Sequence, residues 1–154
     1  MSVRFNRASR RSETFRRGSP DSHEDAVQFI CDFIGRNMYA IFDHLVSVHA
    51  PLNLTFADKF RKENKGLMKK YPAHSYDLGC MGYNKKYTPM LIVEVGDIGD
   101  DSKHNLGHKD QLINDGIAKK FIEEYYPDCK FIRINKDDAM IETELIKRLW
   151  KTPP

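Results

Sequence analysis

The chain predicts a single mixed α/β domain, and three observations carry that reading. Its 154 residues are long enough to bury one core, with 40% hydrophobic and 31% charged residues. Helix-period and strand-period apolar segments alternate along it. A continuously apolar strand, Met90-Leu91-Ile92-Val93, lies between a polar hairpin loop and a long amphipathic segment, the signature of a central strand in a layered fold. No internal repeat or linker divides the chain.

In order, residues 1–20 are rich in Arg and Ser without apolar periodicity and read as a flexible basic arm preceding a domain over 21–152. Pro20 and Ser22, with Asp25 three residues on, announce a helix. Its apolar stripe is Ala26, Phe29, Ile30, Phe33 and Ile34, and Gly35 and Asn37 end it. Residues 38–48 suit helix or strand, and the β-branched end favours a strand. Residues 51–54 read as a loop, and Thr55 as the cap of a helix running to Lys70. Residues 74–81 and 90–95 read as paired strands joined across 82–86. The loop from Gly96 to Gly107 is acidic, then carries histidines. Residues 109–125 return to helical spacing, 130–134 form a short strand, and Asp137 or Asp138 caps a last helix through Trp150.

Several classes are excluded by composition. No apolar run approaches the ~20 residues of a membrane span, and the N-terminal stretch lacks a secretory apolar core. A cytoplasmic or nucleoid/nuclear protein, not a secreted one, is expected. Cys31, Cys80 and Cys129 are odd in number and form no CxxC pair, so reduced thiols are expected rather than a disulfide framework or zinc knuckle. The net charge of +3 is unevenly spread. Arg10, Arg11, Arg16 and Arg17 lie in the arm, and Lys62, Lys65, Lys69 and Lys70 in a second cluster. Each cluster fits either a solvated face or a polyanion contact; together they favour nucleic acid, DNA or also RNA.

Chemistry concentrates between Asp77 and Lys119. Asp77 and Glu94 are expected on adjacent strands near one sheet end, where two carboxylates can hold Mg²⁺ or Mn²⁺. A carboxylate directly after Leu91-Ile92-Val93 is costly to desolvate unless something binds it; a strand end emerging into solvent is the alternative. His104 and His108 stand four apart in a loop, a weak zinc pattern, and His108 suits proton transfer or a phosphate contact as well as a role-free surface position. Gln111, Asp115 and Lys119 share a helix face, either as an ordinary surface pair or as a third acid and a cation aimed at the sheet. Glu24 is a first-turn acid and an accessory candidate.

This order of residues resembles the restriction-endonuclease-like PD-(D/E)xK superfamily, near its very-short-patch repair and EDxHD homing endonuclease branch. The resemblance runs from Asp77 through Ile92-Val93-Glu94-Val95-Gly96, His104 or His108 and Gln111-Asp115-Lys119 to Ile132-Arg133-Ile134. It implies an αβββαβ-type core with a mixed central β-sheet flanked by helices. It also implies metal-dependent DNA hydrolysis: Asp77 and Glu94 on metal, Asp115 and His108 assisting, Lys119 stabilising charge. Small nucleases of this kind often act as homodimers. The pattern departs from the superfamily where Gly96 replaces the Glu-x-Lys lysine, and Tyr76 replaces the usual Pro. A catalytically inactive nucleic-acid-binding or assembly protein on the same fold is therefore the alternative, and a protein with no nucleic-acid role a third reading.

Overall fold

The structure, a computed structural model, describes residues 23–64, 73–83, 86–96 and 107–152, and the side chains of these except 107–114. The elements are α1 (His23–Arg36), α2 (Met38–Ile41), β1 (Val46–His49), β2 (Leu52–Thr55), α3 (Asp58–Glu63), β3 (Ala73–Tyr76), β4 (Leu78–Gly82), β5 (Thr88–Val95), α4 (Gly107–Tyr125), β6 (Lys130–Ile134) and α5 (Glu142–Leu149). A four-stranded sheet has the order β1-β4-β5-β6, and β2 and β3 pair separately. β4 pairs antiparallel with both β1 and β5, and β6 lies parallel to β5. This is a mixed α/β fold with a mixed central sheet. Among the described residues no helix is long and apolar enough to cross a membrane.

The period-2 alternation of the strands sorts their side chains between two cores. Val93, Val95, Ile132 and Ile134 pack with Ile30, Phe33 and Ile34 of α1 and Leu145 and Leu149 of α5. Ile92 and Phe131 turn to the other face, toward Ala118, Phe121 and Ile122 of α4 and Leu52, Phe56, Phe60 and Tyr76. Aromatic rings knit this second core, with Phe121 centred 4.7 Å from Phe56 and 5.1 Å from Phe60. The central strand expected at 90–95 is β5, whose last five residues are all buried.

Several sequence expectations need correction. Residues 38–41 are helical, because Met38, Ile41 and Phe42 bury at helical spacing, and alternation begins only at Val46. The Asn37 side chain donates to the Phe33 carbonyl (2.8 Å), marking the boundary with α1. Residues 52–55 are a strand, not a loop: Leu52 pairs with Tyr76 and Thr55 with Ala73. The helix expected from Thr55 begins after Ala57, which carries no side-chain cap, and α3 ends at Glu63; residues 65–70 lie outside the described residues. The single strand expected over 74–81 is two. β3 pairs with β2, Asp77 breaks the run, and β4 joins the main sheet. Just after the break, Gly79 of β4 passes against β2: a Cβ on it would lie 2.4 Å from Leu52 Cδ2 and 3.1 Å from Leu52 Cβ. Turns occupy residues 136–140 before α5, so Asp137 and Asp138 do not cap it.

Candidate functional site

The site lies at the C-terminal end of β5, on the face covered by α4. Glu94 alternates with the buried Val93 and Val95 and shares its face with Ile92, which sends its carboxylate toward α4 rather than into solvent. It is 7% exposed. The parallel register sets Arg133 beside Glu94. Gly96, at φ +125°, a conformation L side chains rarely adopt, turns the chain out of the strand, and its N–H bonds the Ile134 carbonyl at 2.8 Å.

Asp77 and Glu94 hold each other through the backbone. Glu94 Oε1 accepts from the Asp77 N–H (2.9 Å), and Asp77 Oδ2 accepts from the Val95 N–H (2.8 Å). The chain breaks out of β3 at Asp77, and these two bonds replace the ladder there. His23, at the start of α1, brings Nε2 to 3.2 Å from Asp77 Oδ2. That bond raises the His23 pKa against the opposing effect of burial.

Asp115 on α4 and His74 on β3 complete the group. A ligand-capable atom from each of His74, Glu94 and Asp115 lies within 4.8 Å of the other two. Arg133 Nη2 is 4.0 Å from Asp115 Oδ2. The His74 ring packs edge-on to Tyr76, centroids 4.6 Å apart, and the Tyr76 hydroxyl donates to the Ala118 carbonyl (2.8 Å), tying β3 to α4.

The electrostatics follow from this crowding. Burial, reinforced by the Asp77 charge, pushes the Glu94 carboxyl up to about 8; the Asp77 N–H and Arg133 oppose the shift, and Asp115 adds to it. Burial also raises Asp115, with Arg133 and His74 opposing. His74 is lowered, because burial outweighs the attraction of Asp115 and Asp77, so its imidazole stays neutral and open to coordination.

No protein-family model, curated protein or solved structure matches this chain.

Of the residues singled out from sequence, Asp77, Glu94 and Asp115 come together. Lys119 is exposed, one turn along α4 from Asp115, and Glu24 is exposed on α1. The side chains of His108 and Gln111 lie outside the description, as do His104, Arg10, Arg11, Arg16, Arg17, Lys65, Lys69 and Lys70. Lys62 is exposed on α3. Sequence reasoning missed His74 and His23. His74 lies three residues before Asp77, a signal in plain view, but treating 74–81 as one strand gave it no route to the Glu94 face. His23 stood next to a helix cap and carried no signal of its own.

Proposed function

We propose that this protein is a metal-dependent nuclease, hydrolysing DNA phosphodiester bonds at the Glu94 site. The observation that carries the proposal is the convergence of Glu94 and Asp115 with His74, beside Asp77, at one sheet end. Three carboxylates crowd together there, one of them almost fully buried, and a divalent cation would offset both their mutual repulsion and the burial of Glu94. The donors fit one: carboxylate oxygens suit Mg²⁺ or Mn²⁺. A bound divalent ion activates water and offsets charge on the phosphate.

The chain's own residues divide the remaining work. Glu94 and Asp115 present oxygen ligands, and Asp77 fixes the turn between the two sheets through the Val95 N–H. Arg133 stands beside Asp115 with its side chain 24% exposed, placed to hold a phosphate oxygen by a charge-assisted hydrogen bond. His108 and Lys119, by the sequence pattern, assist proton transfer and charge stabilisation. The exposed Lys59 and Lys62 on α3, with the basic arm, contact the DNA backbone without reading sequence.

The connectivity supports a restriction-endonuclease-like fold. With α2, β2, α3 and β3 left out, the main sheet and its neighbours α1 and α4 read α1-β1-β4-β5-α4-β6, an αβββαβ order with the parallel pair last. Gly96 in place of the usual lysine favours a second reading, a nucleic-acid-binding protein on this scaffold without catalysis. Cleavage of supercoiled plasmid, branched and single-stranded oligonucleotides in Mg²⁺, Mn²⁺ or EDTA separates the two. Metal-dependent cutting by wild type, abolished in Glu94→Ala, is expected. Salt-sensitive binding by folded wild type with no cutting in any metal would establish the second reading instead.

A further inference from the structure

His74 places a nitrogen donor inside an otherwise oxygen-only group. His74, Glu94 and Asp115 come from three elements, β3, β5 and α4, and each is fixed by a separate contact. Tyr76 packs against the His74 ring, the Asp77 N–H holds Glu94, and Arg133 flanks Asp115. Three ligands of one ion cannot all stand opposite one another; spread evenly at ~2.1 Å from the ion they are about 3.6 Å apart. Three donor atoms 4.8 Å from one another lie about 2.8 Å from a common centre, so they close on an ion with shifts of up to about 0.7 Å each. Asp77 is differently engaged, with Oδ2 accepting from Val95 and facing His23.

We propose that His74, Glu94 and Asp115 form a mixed nitrogen–oxygen site for a first-row divalent transition ion (Mn²⁺, Co²⁺ or Zn²⁺), with Asp77 as a positioning residue. The proposal rests on the metal-site part of the reading above and sharpens it. Mg²⁺ favours oxygen-only surroundings with several waters, whereas an imidazole ligand moves selectivity toward the later ions. His74 therefore decides which ion is held.

The test is pulsed electron paramagnetic resonance on the full chain loaded with Mn²⁺ alone, alongside Mn²⁺ and Mg²⁺ titration by calorimetry. Wild type is expected to show ¹⁴N coupling to bound Mn²⁺, replaced by ¹⁵N coupling when histidine is ¹⁵N-labelled. His74→Gln should abolish the coupling and weaken Mn²⁺ by about tenfold or more, with a smaller loss for Mg²⁺. His23→Gln and His108→Gln should keep the coupling, and they preserve the test if His74→Gln does not fold. Bound Mn²⁺ without nitrogen coupling, coupling that survives His74→Gln, coupling lost in His23→Gln or His108→Gln, or no Mn²⁺ binding by folded wild type would overturn the proposal. Its failure is distinct from that of the nuclease reading. Mn²⁺-dependent cleavage without nitrogen coupling sinks the His74 ligand and spares the nuclease; nitrogen coupling without cleavage of any substrate does the reverse.

Discussion

Replacing Glu94 by Gln measures how much charge the fold holds under strain. With no ion bound, burial and the Asp77 carboxylate push Glu94 up to about 8, against an ordinary value of 4.5 that the unfolded chain keeps. The folded protein therefore binds this proton more tightly than the unfolded chain. Folding stability from this group is fully retained below pH 4.5 and declines as pH rises from there to about 8. Each tenfold in proton affinity is about 1.4 kcal/mol, so the upper limit is on the order of 4–5 kcal/mol, and relaxation of the site reduces it to roughly 2–4 kcal/mol. Gln keeps an oxygen for the Asp77 N–H and has no charge to bury. Thermal unfolding in EDTA from pH 4 to 9, read as variant minus wild type, cancels much of the titration of Asp115, His23 and His74. The variant should match wild type near pH 4.5 and melt roughly 5–12 °C higher at pH 8. A difference that stays flat from pH 4.5 to 8 would mean that Glu94 ionises as if solvated, which would remove the electrostatic case for a cation.

Other perturbations test the supports of the site. Asp77→Ala leaves the Val95 N–H without its carboxylate and should cost about 1–3 kcal/mol by urea unfolding, whereas Asp77→Asn should cost less. In the same variants the His23 imidazole, followed by NMR, should lose its raised pKa and titrate lower, since the Asp77 bond is the largest cause of the shift. Tyr76→Phe removes the bond to the Ala118 carbonyl and should cost about 1 kcal/mol while loosening His74 against α4. Gly79→Ala drives a methyl into Leu52 and should cost about 1–3 kcal/mol, and a Gly79→Ala/Leu52→Ala double variant should lose less than the sum of the two single variants.

The parts legible from sequence were those where a single period dominates. The stripe on α1, the apolar run of β5, the long α4 and the short β6 all sit within a few residues of their expected places. Glu94 was legible for the same reason: a carboxylate at the end of a buried run announces itself. Residues 38–55 were not, because two short strands and a one-turn helix present too few residues for a period to declare itself, and tertiary packing decides among them. The strand break at Asp77 was hidden as well. Nothing local distinguishes one strand of eight residues from strands of four and five that pair with different partners, β2 and β5. That one miss concealed His74, whose place beside Glu94 depends on β3 belonging to the other sheet.

The parallel pairing of β5 with β6 bears on how the protein comes apart. Glu94 meets Arg133 across a parallel pairing that spans α4 in sequence, a closure far longer than the β4–β5 hairpin requires. Long-range parallel pairing of this kind is slow to form, because loop closure has to precede the contacts that reward it. If His74, Glu94 and Asp115 come together after the main barrier, a ligand joining them stabilises the native state with little effect on the transition state. Such a ligand should leave the refolding rate nearly unchanged and slow unfolding, acting as a kinetic latch across β3, β5 and α4.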